Sequence, residues 1–445
     1  MYNAYGEPTI GESETPALLT TTRPRAALRP SAGLRALLQL AGGLVFAVLL
    51  PWLVRVLVEP VTANIVSQEN SVYGTTAAMI AGHVFVRSLT SFPGIRASNY
   101  VVPTFAVTYG VVLAVFFFFR LDYSRLQFVG SFSLCIAWYA WLFLWRRRDR
   151  PLAIGVVPAG EIAAIQEIDG VNWVSLSNPE TMLTGLDAIV ADLRADMPDA
   201  WERFLAESAI AGVPVYHMKQ IQESLTGRVE IEHLSENNFG SLIPGLAYVT
   251  IKQLFDLVVA LIMTVVLLVP GFLVGLAVKA DSRGPVFFRQ RRMGYRGEVF
   301  TVYKFRTMRD RGTVAAEDAR NSAITVEGDA RITRIGRFLR RTRIDELPQI
   351  LNILRGEMSW IGPRPEAEVL SLWYEQELPY YRYRHIVRPG ITGWAQVNQG
   401  HVANVDEVLW KLHYDFYYIK NFTPWLDMLI TLRTVHTILT GFGSR

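Results

Sequence analysis

Long apolar stretches alternate with basic segments through the first third of the chain. Four precede Arg146, at about 36–58, 72–89, 101–119 and 126–145. Each approaches the ~20 residues that a helix needs to cross a bilayer. Four transmembrane helices are therefore expected over 36–146, the second being interrupted by His83 and Arg87. Arg23, Arg25, Arg29 and Arg35 precede the first stretch. Arg146, Arg147, Arg148 and Arg150 follow the fourth, and the loop 59–71 has no Lys or Arg. Basic residues stay on the cytoplasmic side, so both ends of the region are expected there, although Arg120 and Arg125 in an outer loop run against this. Arg55, inside the first stretch, is expected to snorkel or to face a partner helix. Residues 1–35 read as a disordered cytoplasmic tail.

A fifth apolar run, 257–278, is broken by Pro270-Gly271. Lys252 precedes it, and Lys279, Arg283, Arg289, Arg291 and Arg292 follow it. Both flanks thus look cytoplasmic, which an ordinary span cannot satisfy. A re-entrant helix–break–helix over about 254–278, bent at Pro270, satisfies it. A kinked transmembrane helix is the alternative, and it would place everything after it outside.

Between these membrane segments the period changes. LAIGVV, VNWVSLS, LDAIVAD and VPVYHM read as short buried strands, with a helix over 201–211. The pattern predicts a small parallel α/β domain, Rossmann-like, over 151–240. The turn after its first strand is PAGE and not GxGxxG, so no dinucleotide is expected there; a part in assembly or regulation is. Further on, Ile332, Ile335, Phe338 and Leu339 recur at helical spacing, and Arg331, Arg334, Arg337, Arg340, Arg341 and Arg343 fill the other faces. Such a helix suits an anionic membrane surface, or packs on the protein with its charges in solvent.

Composition agrees with a membrane protein: 445 residues, 51% hydrophobic and only 19% charged. The net charge of +4 matters less than its clustering beside apolar segments, and no nucleic-acid partner is expected. Cys135 is the one cysteine, which excludes a disulfide framework or a cysteine-based zinc site within the chain. His385, His401 and His413 show no metal-ligand spacing. No GxxxxGK[ST] loop is present, nor an Asp-x-Asp metal motif.

The densest chemistry is RRTRIDELPQILNILRGEMSWIGPRPE, residues 340–366. Asp345-Glu346 follows a run of arginines and precedes the helical pattern of Leu347, Ile350, Leu351 and Leu354. Pro348 suits a first helical turn, which places Asp345 at or near a helix N-terminus, where negative charge is favoured. Taken alone, the pair caps a helix or performs phosphoryl transfer beside phosphate-binding arginines.

IDELPQILNILRGEMSWIGPRPE, the earlier KFRTM (304–308) and the later RPGITGWAQVNQG (388–400) together resemble the bacterial sugar transferases, the monotopic-core phosphoglycosyl transferases. The resemblance runs from about Ile251 to residue 445, and the preceding segments look like those of the longer members, which act on undecaprenyl phosphate with glucose or galactose. It implies transfer of hexose-1-phosphate from UDP-hexose to undecaprenyl phosphate with release of UMP, the first membrane step of exopolysaccharide, capsule or O-antigen synthesis. It implies the same membrane hairpin, with Val269-Pro270 where members commonly carry Ser-Pro. By resemblance Asp345 is the nucleophile, and Glu346 with Asp345 holds Mg²⁺. Arg340 binds phosphate and Arg364, held between Pro363 and Pro365, takes the nucleotide diphosphate. Lys304, Arg306 and Arg388 are further anion-binding candidates. Asp427 matches another acidic position of the family and is equally readable as a polar residue at the start of a C-terminal helix. Trp394 is a pocket wall or core residue. The expected location is the bacterial inner membrane with the catalytic domain (251–445) on its cytoplasmic face; homo-oligomerisation stays open. A conventional membrane glycosyltransferase and a non-catalytic nucleotide-sensing scaffold are the alternatives.

Overall fold

The computed structural model describes residues 32–58, 65–89, 98–146, 153–160, 162–179, 185–231, 246–309, 331–399 and 405–440. Most of the expected N-terminal tail, 1–31, lies outside them. Helix α1 runs as Ala32–Leu44, a π-helical turn Val45–Leu49, and Leu50–Val58; α2 is Ile65–Leu89, α3 Ser98–Phe118 and α4 Arg125–Arg146. Their shared interior holds Ala47, Met79, Phe105, Cys135 and Tyr139, whereas Leu57, Phe117 and Phe118 face outward. An apolar exterior is what a lipid solvent requires. Several polar groups of the bundle pair inside it. Arg55 Nη1 donates to Gln127 Oε1 at 3.3 Å, Tyr109 and Ser131 share a 2.7 Å hydrogen bond, and His83 Nδ1 meets the Tyr139 hydroxyl at 2.5 Å. Arg55 therefore faces a partner helix. Four described helices are long and apolar enough to cross a membrane: α1, α3, α4 and the later α8. Ser71, Thr75 and His83 lower the hydropathy of α2, yet it packs against α1, α3 and α4.

Strands β1 (Ala153–Val156), β2 (Asn172–Ser175), β3 (Ala188–Ala191) and β4 (Val215–His217) form a parallel sheet in the order β2-β1-β3-β4. Every residue of β1 and β3 is buried, as central strands covered on both faces must be. Leu176, Ile189, Trp201 and Phe204 fill one side, with α6 (Asp199–Ile210) following the helix expected at 201–211. Ile154, Ile165, Val190 and Met218 fill the other side, beneath α5 (Ala163–Gln166) and α7 (Met218–Thr226).

The remainder begins with α8 (Leu246–Asp281), helical throughout its 36 residues. The interruption expected at Pro270 is not an unwinding: the proline forfeits one backbone hydrogen bond and the helix continues. One stripe of α8 is covered along its length. Lys252, Asp256, Ala260 and Val278 are buried on it and Met263, Leu267 and Val274 partly so, while Val265, Leu268 and Phe272 on the other side are exposed. Polar contacts fix both ends. Lys252 Nζ meets Asp427 Oδ2 at 2.7 Å, Ser359 Oγ donates to Asp256 Oδ2 at 2.6 Å, and Asp281 Oδ2 accepts the Ile335 N–H at 3.2 Å. An antiparallel hairpin, β5 (Phe287–Met293) and β6 (Val299–Phe305), leads to α9 (Arg334–Thr342), a 3-10 turn (Ile344–Gln349) and α10 (Ile350–Leu354). The short parallel pair β7 (Ser359–Ile361) and β8 (Gly390–Thr392) brackets α11 (Glu368–Glu377). Helices α12 (Trp394–Asn398), α13 (Val405–Lys420) and α14 (Pro424–Thr440) close the unit.

The three parts touch. The Trp394 indole donates to the Gly227 carbonyl at 2.9 Å, and the Val229 N–H to the His413 carbonyl at 3.1 Å. Arg433 Nε donates to the Tyr100 hydroxyl at 3.1 Å, and Phe85 meets Trp425 edge-on.

Candidate active site

Local sequence aims the acidic pair. Thr333 caps α9 by accepting the Gly336 N–H at 2.9 Å. Gly336 presses on the end of β6 so closely that a Cβ there would stand 2.1 Å from the Thr307 carbonyl oxygen. Helix α9 then stops at Arg343, whose φ of 59° is left-handed, a conformation costing a non-glycine residue about 1–2 kcal/mol. The reversal sends the chain into the 3-10 turn and lays Asp345 and Glu346 against β6. No side chain caps that turn, so the capping reading of the pair is not realised.

Glu346 is buried and fully engaged. Its Oε1 accepts from Lys304 Nζ at 2.9 Å and Arg364 Nη2 at 2.6 Å, its Oε2 accepts from Arg364 Nη1 at 3.4 Å, and Arg343 lies 3.9 Å away. Burial alone would raise its pKa, but Arg364 and Lys304 hold the carboxyl well below the usual range. Asp345 is equally sequestered, at 8% exposure, yet its Oδ1 has no hydrogen-bond partner. Burial first, and the Glu346 charge second, push its pKa up against the pull of Lys304, Arg364 and Arg340. Neighbouring carboxyls driven in opposite directions mark a site with divided roles. Burial brings Lys304 down to about 8, with Glu346 opposing, and Glu346 pushes Arg364 up.

A buried frame holds the Pro363-Arg364-Pro365 segment. Arg384 Nη2 donates to the Arg364 carbonyl at 2.9 Å and pairs with Asp415 at 2.8 Å, and its Nη1 donates to the Tyr381 hydroxyl at 2.7 Å. Arg292 donates to the Pro365 carbonyl, and Lys411 pairs with Glu366. A cleft lined by Met293, Pro363, Arg364, Arg384 and His385 opens beside it.

The structure thus gathers Asp345, Glu346, Lys304 and Arg364 around one point, with Arg340 alongside, its Nε donating to Thr307 Oγ1 at 2.9 Å. Arg306 points elsewhere, to Ser282, and the Arg388 guanidinium lies 5.5 Å from the Tyr295 ring centroid. Asp427 accepts hydrogen bonds from Tyr248, Lys252 and Tyr418 at 2.7, 2.7 and 2.8 Å, and so clamps α8 to α14. Trp394 is a buried docking residue beneath Arg433. His385 is buried and His413 half-buried, and desolvation lowers them to about 3 and about 4; His401 lies outside the described residues. Sequence reading missed Arg384, Asp415 and Arg292, because the contacts that tie them to one another and to the Arg364 segment span 20 to 73 residues and leave no local pattern.

Among the described residues no group of three His, Cys, Asp or Glu is arranged for a metal. Mg²⁺ needs only one or two carboxylates beside substrate phosphates. The unpartnered Asp345 Oδ1 fits that demand; Glu346 fits it only by releasing Lys304 or Arg364.

A family model described as bacterial sugar transferase matches residues 247–441. The chain is 42% identical over 378 residues to the UDP-N-acetylgalactosamine-undecaprenyl-phosphate N-acetylgalactosaminephosphotransferase of Aeromonas hydrophila, covering 84% of this chain and 88% of that protein. It is 43% identical over 280 residues to a UDP-glucose:undecaprenyl-phosphate glucose-1-phosphate transferase of Xanthomonas campestris pv. campestris, covering 60% and 52%. It is 38% identical over 187 residues to the enzyme of that name in Escherichia coli (strain K12), covering 42% and 39%. The family match brackets α8 to α14 with Asp345, Glu346 and Arg364 inside it, and the Aeromonas likeness extends well beyond that unit. The chain belongs to the bacterial sugar transferase family.

Proposed function

We propose that this enzyme transfers a sugar phosphate from a UDP-sugar to undecaprenyl phosphate and releases UMP, as the first membrane step of a surface polysaccharide. The carrying observation is the division between Glu346, saturated by Lys304 and Arg364, and Asp345, buried beside the same cations with an oxygen free. Asp345 attacks the sugar-bearing phosphorus, the bond to the bridging oxygen breaks, and UMP leaves with that oxygen. A phosphosugar–aspartyl anhydride remains. An oxygen of undecaprenyl phosphate then attacks the same phosphorus, giving a diphosphate-linked lipid and restoring the carboxylate. Lys304 and Arg364 offset charge on the phosphoryl oxygens, and Glu346 holds both cations in place. Mg²⁺, held by Asp345 and in part by Glu346, would supply further positive charge to the diphosphate. The relatives' names span glucose and N-acetylgalactosamine, so the candidate sugars widen from glucose and galactose to N-acetylhexosamines.

The re-entrant topology belongs to this reading. A straight helix of 36 residues is ~54 Å long, yet both ends of α8 are bound to one body, by Lys252 and Asp256 at one end and Val278 and Asp281 at the other. Both flanks then share the cytoplasmic side of the inner membrane, α8 dips in by its apolar face, and α9 lies at the interface with Phe338 exposed. The Rossmann-like domain serves assembly or regulation. Incubating the enzyme with UDP-sugars in the absence of lipid tests the chemistry. A phosphosugar adduct on Asp345 by peptide mass spectrometry, with stoichiometric UMP, is expected. Release of UDP, or turnover without an adduct under rapid quench, overturns it.

A further inference from the structure

Arg306 is buried to 6% exposure, and two of its three guanidinium nitrogens, Nε and Nη1, have no hydrogen-bond partner. Only Nη2 is engaged, donating to the Ser282 carbonyl at 2.6 Å and Ser282 Oγ at 3.0 Å. The other buried cations of this unit fare differently. Lys252 and Arg384, equally buried, and the half-buried Lys304, Lys411 and Arg364 each touch a carboxylate. The half-buried Arg292 is bonded to Gln290 and the Pro365 carbonyl and Arg388 lies by the Tyr295 ring, and among the described residues no carboxylate lies within ion-pair reach of Arg306. A buried charge without a counter-ion is costly, and an anion brought by a substrate relieves that cost.

Position says which anion. The Arg306 N–H continues the hairpin ladder by donating to the Val286 carbonyl at 2.9 Å. Arg306 therefore lies two residues beyond Lys304 on the same side of an extended chain, about 7 Å along it. Lys304 serves the Glu346 cluster; Arg306 serves the point where α8 ends at Asp281. Gly284, at φ +129°, makes this possible: a Cβ there would stand 2.0 Å from Nη1. Phe287, Phe288 and Phe338 are exposed on the neighbouring elements, an apolar rim of the kind that enters the membrane. Arg306 thus stands beside this apolar rim, at the end of α8, and apart from the Asp345 cluster. We propose that Arg306 seats the phosphate of the acceptor lipid, one alternate strand position from the donor's phosphates. This rests on the transfer reaction proposed above. Ser282 binding alone would make Arg306 a cap on the carbonyl end of α8, but that role uses Nη2 and leaves Nε and Nη1 idle.

The test uses the full chain in nanodiscs of zwitterionic lipid, with undecaprenyl phosphate and UDP-sugar varied separately. Wild-type UMP release comes first, and its failure would sink the transfer reaction itself and not the seat. Arg306→Gln should raise the KM for undecaprenyl phosphate on the order of tenfold or more, with the KM for UDP-sugar unchanged; Arg306→Lys should recover part of the loss. Ser282→Ala, which removes one hydrogen bond to Nη2, should change neither KM by more than about twofold. Two outcomes overturn the proposal. One is a lower melting temperature in Arg306→Gln with both KM values unchanged or moving together, which makes Arg306 a helix cap. The other is a KM difference that appears only when phosphatidylglycerol is added to the discs, which makes the seat one for any anionic headgroup.

Discussion

Asp345 carries opposing demands. Its folded pKa is raised, so the folded state favours the protonated acid. The associated stability is complete below the ordinary carboxylate pKa and is lost as pH rises through the folded value. Catalysis needs the other form. Asp345→Asn should therefore bring turnover to background while raising the melting temperature at pH 8, with no such rise near pH 3; thermal scans at the two pH values check this. Glu346→Gln should do the reverse to the fold. It strands Lys304 and Arg364 without their buried counter-charge, at a cost of about 3–5 kcal/mol, and lowers kcat by a hundredfold or more, both measurable by denaturant titration and UMP release. The free-enzyme profile of kcat/KM should be bell-shaped. It falls at low pH as Asp345 takes a proton, and at high pH as Lys304, lowered to about 8, loses one. Lys304→Arg should move the alkaline limb upward.

Elements translate those residues into place. Helix α9 positions the acidic pair only because Gly336 lets it lie on the Thr307 carbonyl. Gly336→Ala should cost about 1–3 kcal/mol by overpacking and depress kcat more than KM, since the nucleophile moves while Arg364 stays on its Arg384 support. For α8, cysteines placed at the exposed Ala247 and Arg283, in a Cys135→Ser background, should both resist an impermeant thiol reagent in intact cells. Labelling of either would mean that α8 crosses the membrane. Pro270→Leu, which restores a backbone donor in mid-helix, should favour a straight span and reduce activity.

At the scale of the whole molecule, α8 to α14 hold every residue of the proposed reaction. A chain starting near Leu246 should still release UMP, with lower stability. It loses the covers that Gly227, Val229 and Tyr100 give to Trp394, His413 and Arg433. An inactive but folded truncation would show that those contacts matter to chemistry. Four of the five apolar stretches, the parallel sheet and the placing of the acidic pair beside cations were legible in the sequence, because hydrophobic period and local charge are properties of neighbours along a chain. The second stretch carries Ser71, Thr75 and His83 and falls short of a span by its hydropathy. The pairing of Glu346 with Lys304 and Arg364 was not, since it joins residues 42 and 18 positions apart. Nor was the brace of Arg384 and Asp415, or the clamp that takes Asp427 out of the cluster. The sequence by itself determined which segments favour lipid and which residues could bear charge near a phosphate. Only the tertiary structure decided which of those charges neutralise one another and which, at Asp345, Arg306 and Arg388, keep buried unpartnered atoms, because the counter-charge of a buried ion comes from whatever the fold brings beside it.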